Sequence, residues 1–406
     1  MLDLKTIREL VEPNTTRIVM LVMDGLGGLP MTAGGLTELE TAKTPNMDAL
    51  AAQSLTGLIT HVAPGLTPGS GPGHLALFGY NPLTYQIGRG VLEALGIGFP
   101  MGPNDVASRC NFCSLDANGL LTDRRAGRIP TEVGTKLVQK LRAIKLPGVE
   151  VFVEPGEGYR FVVVLRGEGL SDEVTESDPQ RLGVPPLTMG AAADAKDPAA
   201  AKRTAGLLNQ FVAEARKVLA NDHPANGNLM RGFAKLPDMP MFPDVFGLKA
   251  AAIAVYPMYK GLAKLVGMQV LDGAHSGEEE MALLEKAYKD YDFFFVHIKW
   301  TDSAGEDGDF ARKVGVIEDV DKLLPRILAL NPDVLVVTGD HSTPALLKSH
   351  SWHPVPMMLY SKHCRYDANA EFSERGCARG ALGVMPATNI MPLALANAMR
   401  LAKYGA

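Results

Sequence analysis

The sequence predicts an α/β protein whose mainly parallel sheet, sandwiched by helices, is interrupted by a smaller inserted α/β domain. Two features of the outer regions support this. Short, wholly apolar segments of strand length occur near both ends of the chain, and each is followed by polar residues. An amphipathic segment joins the last two of them, as in a strand–helix–strand unit. The third observation is that the strongest acid and histidine candidates are absent from the middle of the chain, which indicates a separate insert.

The first predicted strand covers residues 17–23, a continuous apolar run that ends at Asp24. Such a run is typical of a strand buried on both faces, as in a parallel sheet. Further along, "KTPNMDALAAQS" predicts a helix. Thr44 is its expected N-cap and Pro45 its first residue, since proline is favoured at that position.

Nearer the other end of the chain are two more strands of the same kind, at 291–302 and 333–342. The segment between them has apolar residues every three to four positions, which predicts an amphipathic helix. These positions are Val314, Ile317, Val320, Leu323 and Leu324. Residues 355–360, "VPMMLY", are a further strand candidate.

The middle of the chain has a different composition. Residues 160–166 resemble a strand, residues 168–205 are rich in Gly, Asp, Pro and Ala and resemble a loop, and "DPAAAKRTAGLLNQFVAEARKVLAN" predicts a long helix. We therefore predict an outer α/β domain interrupted by an inserted domain. Their predicted ranges are 1–95 with 247–406 for the outer domain, and 96–246 for the insert.

Composition excludes several classes of protein. The chain of 406 residues has a net charge of −5 and no basic block, which argues against nucleic-acid binding. We find no signal peptide and no apolar run of the ~18 residues that a membrane span needs. Cys110 and Cys113 form C-x-x-C in a strand-like segment, where residues three apart face opposite sides. We interpret them as buried free thiols, not as a zinc or redox pair, and expect a cytoplasmic protein.

Four stretches that end strands or lie in Gly-rich loops carry hard ligands: "VMDGLGG", "GLTPGSGPGHLALFGYNP", "KWTDSAGEDGD" and "TGDHSTPALLKSHSWHPVP". The acid–imidazole pair Asp340-His341 follows the strand "LVVT". Such a pair suits a divalent metal, although acids also cap helices. Because ligands bind at the carboxyl ends of strands in open α/β sheets, we expect these stretches to meet at one edge of the sheet.

Ser70 lies in "PGSGPG", where the glycines allow close approach of a ligand. The following "HLALFG" could begin a helix, whose free N–H groups would favour a phosphoryl group near the hydroxyl. A plain Gly/Pro turn with a hydrogen-bonding serine is the alternative.

Taken together, these motifs resemble the archaeal-type cofactor-independent phosphoglycerate mutases, members of the alkaline phosphatase superfamily of metalloenzymes. The matching stretches run through most of the chain and are "DGLGGLP", "TPNMDALA", "PGSGPGHLALFGYNP", "GRGVLEALGIG", "CNFCSLD", "DRRAGRIP", "RGF", "MYKGLAKLVGM", "HIKWTDSAGEDGDF", "TGDHSTP" and "HSWHPVP". The resemblance implies that the outer domain is an alkaline-phosphatase-like core that binds two divalent metals, and that the insert holds the substrate. By motif, the ligands of one metal would be Asp24, Ser70, Asp340 and His341, and those of the other Asp302 and His350.

The chain departs from the family at position 306. The family generally has a histidine four residues after the first acid of this motif, and here that residue is Glu306. Glu306 can ligate Mn²⁺ or Mg²⁺, and an oxygen-rich site suits these ions better than Zn²⁺ or Co²⁺, which remain compatible. Asp307 or His353 could fill the position instead, or Glu306 could simply solvate the start of the helix near Asp309.

The resemblance also implies a reaction. Ser70 would take the phosphate of 3-phosphoglycerate as a phosphoserine, and the retained glycerate would receive it on its other hydroxyl, giving 2-phosphoglycerate without 2,3-bisphosphoglycerate. Cations must hold the glycerate meanwhile, and arginine does this bidentately. The candidates are Arg125 and Lys260, which lie in matching motifs, together with Asp123, Arg124, Arg128 and Arg231. An ordinary surface ion pair is the alternative for each cation.

The predicted partner is therefore a small phosphorylated substrate, with no nucleic acid and no membrane. Three rival functions stay open at this point. They are a homoserine kinase-like phosphotransferase of the same family, a phosphomonoesterase, and a non-catalytic small-molecule binder. The sequence leaves the physiological metal and the oligomeric state open.

Overall fold

A computed structural model describes residues 3–367 and 369–405. The chain forms two compact units, one comprising Met1–Gln86 with Met239–Ala406 and the other Ile87–Asp238. The predicted insert, 96–246, begins and ends later in the chain than the second unit does. Residues 1, 2, 368 and 406 of the predicted outer domain lie outside the described residues.

Local packing explains the difference in boundaries. In the second unit, the helix that starts at Arg89 contacts the sheet so closely that a Cβ on Gly90 would lie 2.3 Å from the Ala107 carbonyl oxygen. In the first unit, the ring of Phe242 lies 4.9 Å from that of Phe293, centroid to centroid. The segment around Gly90 therefore packs in the second unit and the segment around Phe242 in the first, through contacts that sequence composition does not reveal.

The strands of the described residues, in chain order, are β1 Ile18–Met23, β2 Leu55–Thr60, β3 Asp105–Leu115, β4 Leu121–Asp123, β5 Glu150–Pro155, β6 Arg160–Arg166, β7 Gly227–Ala234, β8 Ala250–Ala254, β9 Gln269–Val270, β10 Phe293–Ile298, β11 Val334–Thr338, β12 Val355–Ser361 and β13 Val384–Pro386. The α-helices are α1 Leu4–Leu10, α2 Glu38–Thr41, α3 Pro45–Ala51, α4 Ser70–Leu77, α5 Arg89–Gly96, α6 Thr131–Leu141, α7 Pro198–Val218, α8 Phe242–Phe246, α9 Pro257–Leu265, α10 Gly277–Ala287, α11 Trp300–Asp307, α12 Phe310–Ala329, α13 Glu374–Cys377 and α14 Ile390–Asn397.

The first unit contains an eight-stranded sheet in the order β13-β2-β12-β11-β1-β10-β8-β9. The pairs of β1 with β10 and with β11 are parallel, as are β10 with β8, β8 with β9, and β13 with β2. In this sheet, β12 is antiparallel to both of its neighbours, β11 and β2. Every residue of β1, β10 and β11 is buried, which is why these strands are wholly apolar apart from a few polar positions near their ends. The predicted fold class, α/β with a mainly parallel sheet, is confirmed.

The second unit contains a five-stranded sheet in which β3 is the central strand. It pairs antiparallel with β4, β6 and β7, and β5 pairs antiparallel with β6. Cys110 and Cys113 lie on β3, are both buried and free, and pack into different apolar clusters. The prediction of buried free thiols is confirmed, and burial raises the pKa of each to about 12.

Most predicted elements are confirmed, including the strands at 17–23 and 355–360, the long helix α7, and α3 with Thr44 as its N-cap. The segment after β10 is a correction. The sequence predicts a strand that continues to residue 302 and a helix that starts near Asp309, but β10 ends at Ile298 and residues 300–307 form the short helix α11. Gly308, in the left-handed conformation with φ 74°, ends α11 and separates it from α12. Among the described helices, not one combines the length and hydropathy that crossing a membrane requires.

Candidate active site

The central strands of the large sheet end side by side. β1 lies between β10 and β11, with Met23 paired to Ile298 and Val22 to Thr338. The residues that follow these strands therefore emerge at one edge of the sheet, where ligands bind in this class of fold. The loop after β1 is held close to the loop after β11. A Cβ on Gly25, whose φ is +64°, would lie 2.4 Å from Thr343 Oγ1.

Asp24, Asp340 and His341 form the first candidate metal-binding group. All three are fully buried, and their ligand atoms lie within 4.8 Å of one another. His341 Nε2 lies 3.1 Å from Asp340 Oδ2 and 3.3 Å from Asp24 Oδ1. The Ser70 Oγ lies 3.3 Å from the same nitrogen. Three potential oxygen ligands therefore lie within 3.3 Å of His341 Nε2.

Asp302, His341 and His350 form the second group, and their ligand atoms meet the same 4.8 Å limit. His350 Nε2 lies 3.5 Å from Asp302 Oδ1, and the His341 and His350 rings stack with centroids 3.6 Å apart. His341 is therefore shared between the groups, whereas motif resemblance assigns it to one metal.

The imidazoles are oriented so that Nε2 of each faces the carboxylates. Thr343 donates its single hydroxyl proton to Asp302 Oδ1 at 2.7 Å, so it can only accept from His341 Nδ1, which lies 3.0 Å away. His350 Nδ1 lies 3.0 Å from the Pro68 carbonyl oxygen, to which it can only donate. A ring nitrogen that donates to a neighbour leaves the other nitrogen free to bind a metal.

Burial and mutual repulsion dominate the electrostatics of the site. Burial, followed by the charge of Asp340, raises the pKa of Asp24 well above its usual value. Burial works against the ionised form of Asp340 as well, but His341 and His74 hold its pKa well below the usual value. Although burial works to lower it, the pKa of His341 is raised to about 9 by Asp340 and Asp24. The buried carboxylates therefore carry more negative charge than the neighbouring imidazoles compensate, so a further positive charge would stabilise the site.

The residues present fit a divalent cation. Asp24 Oδ1 and Asp340 Oδ2 are buried and accept no hydrogen bond of good geometry from the described residues, although imidazole nitrogens lie 3.1–3.3 Å away. This is a costly state for a carboxylate oxygen. The donors are carboxylate oxygens and imidazole nitrogens, which suit Mn²⁺ and similar ions. These orphaned oxygens are what a bound cation would satisfy.

Ser70 is the first residue of α4, with Gly69 as its N-cap. Its hydroxyl therefore stands at the positive end of a helix, next to free backbone N–H groups. A Cβ on Gly73 would lie 2.3 Å from the Asp340 carbonyl oxygen, so this glycine allows α4 to approach the β11 loop. The nucleophile candidate and the metal ligands are thereby held together.

Glu306 lies on α11, four residues after Asp302, but outside both groups. Its side chain is 55% exposed, and its Oε1 lies 3.9 Å from His350 Nε2. The two alternative ligands, Asp307 and His353, have partners outside the metal-binding groups. Asp307 pairs with Arg312 at 2.8 Å, and His353 Nδ1 lies 3.0 Å from Ser351 Oγ. Glu306 as a ligand stays a prediction.

Several side chains at this site, among them Lys299, Tyr259 and Thr343, are not among those predicted from the sequence. Lys299 lies 2.9 Å from Asp24 Oδ2 and donates to Asp302 Oδ2. Tyr259 donates to Asp24 Oδ2, and Thr343 bonds Asp302 as described. Each lies within a quoted motif, Lys299 in "HIKWTDSAGEDGDF", Tyr259 in "MYKGLAKLVGM" and Thr343 in "TGDHSTP". The predicted Lys260 follows Tyr259 on α9 and pairs with Asp272 at 2.8 Å.

The other predicted substrate ligands lie in the second unit. Arg124 makes a bidentate pair with buried Asp178, at 2.9 and 2.7 Å, so its fork is already engaged. Arg231 lies 3.8 Å from the same carboxylate. Asp123 accepts the backbone N–H groups of Arg125 and Gly127, both at 2.7 Å, and so shapes the turn. The side chains of Arg125 and Arg128 are exposed.

A family model and two relatives of this chain carry the same description. A family model described as "2,3-bisphosphoglycerate-independent phosphoglycerate mutase" matches residues 51–226. A protein from Thermotoga neapolitana, named as a probable enzyme of that kind, is 52% identical over 404 residues, 99% of each chain. One from Thermus thermophilus with the same name is 51% identical over 98% of each chain.

Two solved structures share the fold. The PH0037 protein from Pyrococcus horikoshii is 31% identical, with a TM-score of 0.81, covering 97% of this chain and 100% of that one. A cofactor-independent phosphoglycerate mutase from Thermoplasma acidophilum is 29% identical, with a TM-score of 0.72, covering 94% and 100%.

Proposed function

This chain belongs to the 2,3-bisphosphoglycerate-independent phosphoglycerate mutase family, and we propose that it interconverts 3- and 2-phosphoglycerate through a phosphoserine on Ser70. The observation that supports this most directly is the position of the Ser70 hydroxyl, at a helix N-terminus and 3.3 Å from His341 Nε2 in a buried carboxylate–imidazole cluster. The same hydroxyl would serve both halves of the reaction.

Two divalent ions, Mn²⁺ or Mg²⁺, would be held by the cluster. Asp24, Asp340, His341 and Ser70 are the proposed ligands of one, and Asp302 and His350, with Glu306 or His341, those of the other. When bound, the ions would supply positive charge that favours the ionised Ser70 hydroxyl and neutralises phosphoryl oxygens.

The protein's own groups carry out the transfer of the phosphoryl group to and from Ser70. The Ser70 Oγ forms a bond to phosphorus as the bond from phosphorus to the substrate oxygen breaks, and the proton lost by Ser70 ends on the released glycerate hydroxyl. The N-terminus of α4 stabilises the phosphoserine through backbone N–H groups and the helix dipole. The other glycerate hydroxyl then takes the phosphoryl group, and Ser70 recovers its proton.

Retention of glycerate between the two halves requires cations that bind its carboxylate. Arg125 is our first candidate because its exposed guanidinium can form a bidentate pair. Lys260 is the second, because its pair with Asp272 involves a carboxylate that is 65% exposed and can be given up at little cost. Asp123 would position Arg125 through the turn, and Arg124, Arg128 and Arg231 would add positive charge. The free buried thiols agree with the expected cytoplasmic location.

The test is to follow purified protein, 3-phosphoglycerate and Mn²⁺ by phosphorus NMR without 2,3-bisphosphoglycerate. We expect 2-phosphoglycerate to form, Ser70→Ala to abolish it, and mass spectrometry of quenched enzyme to find phosphate on Ser70. Thr67→Ala removes an exposed hydroxyl from the same loop and should leave activity unchanged.

Other outcomes would select the rivals. Phosphorylation of homoserine by ATP without isomerisation would indicate a related phosphotransferase. Release of inorganic phosphate faster than isomerisation would indicate a phosphomonoesterase. Absence of both bound metal and phosphoserine would indicate a non-catalytic binder. A phosphate label on another residue would contradict the Ser70 mechanism.

A further inference from the structure

Lys299 stands at the junction of the two metal-binding groups. Its ammonium lies 2.9 Å from Asp24 Oδ2 and donates a hydrogen bond to Asp302 Oδ2. Asp24 belongs to the first group and Asp302 to the second. A single side chain of this protein therefore bridges the carboxylates of both groups.

These carboxylates need a compensating charge. The side chains of Asp24 and Asp302 are 0% and 2% exposed, and a buried carboxylate without a partner is strongly destabilising. Of the other basic side chains near the cluster, His341 lies 3.3 Å from Asp24 Oδ1 and is itself a candidate metal ligand, and His74 lies 3.2 Å from Asp340 Oδ2. Lys313 gives its three hydrogen bonds to backbone carbonyls, and the pKa of His297 is lowered well below its usual value by burial.

The Lys299 ammonium also lies near two aromatic rings. It lies 5.7 Å from the ring centroid of Tyr256 and 5.9 Å from that of Tyr259, distances at which aromatic faces attract cations. Its side chain is only 18% exposed, so solvent screens it weakly. The charge is a fixed part of the site.

A fixed positive charge here has two opposite effects. It attracts the carboxylates and so favours their native positions when no metal is present. It also repels an incoming divalent ion and engages the Oδ2 atom of Asp24 and of Asp302, two carboxylates that would bind the ion. We propose that Lys299 is a built-in counter-ion that maintains the metal-free site and lowers its affinity for divalent ions. This inference rests on the proposed metal centre.

The test compares metal-stripped wild type with Lys299→Met at pH 8. Mn²⁺ affinity is measured by calorimetric titration, and melting temperature is measured with a chelator. We expect Lys299→Met to melt at a lower temperature without metal and to bind Mn²⁺ at least about tenfold more tightly, because a repulsive charge has been removed. Lys299→Arg should behave like wild type. Lys286→Met, a change at an exposed lysine of α10, should alter neither quantity.

Each result decides the matter. Unchanged or weaker Mn²⁺ binding by Lys299→Met, with the wild type binding normally, would overturn the role of Lys299. So would an unchanged melting temperature without metal. Wild type that binds no Mn²⁺ would instead overturn the metal centre itself. If Lys299→Met folds only when Mn²⁺ is supplied, the proposal is supported, and failure to fold even with Mn²⁺ would contradict it.

Discussion

Glu306 lies where the family resemblance leads us to expect a histidine, and its position favours a test by substitution. It lies on the same helix as Asp302 and within 3.9 Å of His350 Nε2. If Glu306 completes the ligand set of the second metal, Glu306→Ala should reduce the metal content towards one ion per chain and abolish most turnover. Glu306→His should restore part of the activity and shift the preference towards softer ions, because imidazole suits zinc and cobalt better. Elemental analysis of the purified variants measures this.

Asp307→Ala is the matched control for Glu306, since it removes the neighbouring acid of α11, which is exposed and paired with Arg312. Its metal content should equal that of wild type. If Glu306→Ala keeps two ions and normal turnover, Glu306 merely solvates the end of α11.

Glu374 makes stability depend on pH. Burial raises its pKa from 4.5 to about 7, although it accepts hydrogen bonds from the Gly28 N–H and the Thr37 hydroxyl. The folded protein therefore holds this proton at pH values where the unfolded chain has lost it. The resulting stabilisation is complete below pH 4.5 and is lost as the pH rises through 7, on the order of 3 kcal/mol in all.

Glu374→Gln removes this titration while keeping the shape of the side chain. We expect the variant to gain stability relative to wild type as the pH rises from 5 to 8, measured as melting temperature in the presence of a chelator. Glu371→Gln, at an exposed acid nearby, should show no such trend. A constant difference between Glu374→Gln and wild type across this range would contradict the argument.

At the scale of elements, helix α12 holds the ligand loops through Lys313. This fully buried ammonium donates to the carbonyl oxygens of Gly25, Gly27 and Thr343 at 2.9–3.0 Å. Lys313→Met would leave three buried carbonyls without this donor, which should cost about 3 kcal/mol or more. Because Gly25 follows Asp24 and Thr343 orients His341, Mn²⁺ affinity should fall as well.

Melting temperature and calorimetric titration with Mn²⁺ measure both effects of Lys313→Met. Lys322→Met, at an exposed position of the same helix, serves as the control and should change neither. Loss of stability with unchanged Mn²⁺ affinity would show that Lys313 supports the fold without positioning the ligands.

The elements also show how far the sequence could be interpreted. Buried strands such as β1 and β11 were predictable because a short, wholly apolar run is typical of a strand that is buried on both faces. Helix α11 was not, because eight residues with an internal glycine lack a clear helical period. The ligands that follow strands were predictable by type. Lys299 and Tyr259 were not, since a pattern along the chain does not say which side chains turn towards a carboxylate from another strand.

At the scale of the whole molecule, the proposed tasks divide between the two units. The candidate metal ligands and Ser70 belong to the unit with the mainly parallel sheet, and the arginine candidates Arg124, Arg125, Arg128 and Arg231 to the unit with the antiparallel sheet. Substitutions in the first unit should therefore change metal content and phosphoserine formation. Substitutions in the second should change the fate of the bound glycerate, a distinction that kinetics can resolve.

Arg125→Ala tests that division directly. Without a guanidinium for its carboxylate, glycerate should escape before it recovers the phosphate, and water should then hydrolyse the phosphoserine. A charged pair of this kind is worth about 1.5–3 kcal/mol, so the ratio of inorganic phosphate released to substrate isomerised should rise roughly ten- to a hundredfold. Phosphorus NMR measures both products. Metal content should stay at the wild-type value, and Arg142→Ala, at a partly exposed arginine of the same unit that pairs with Glu154, should leave the ratio unchanged. If Arg125→Ala slows isomerisation without releasing phosphate, or loses metal, then Arg125 does not retain the glycerate, and the task must belong to another cation such as Lys260.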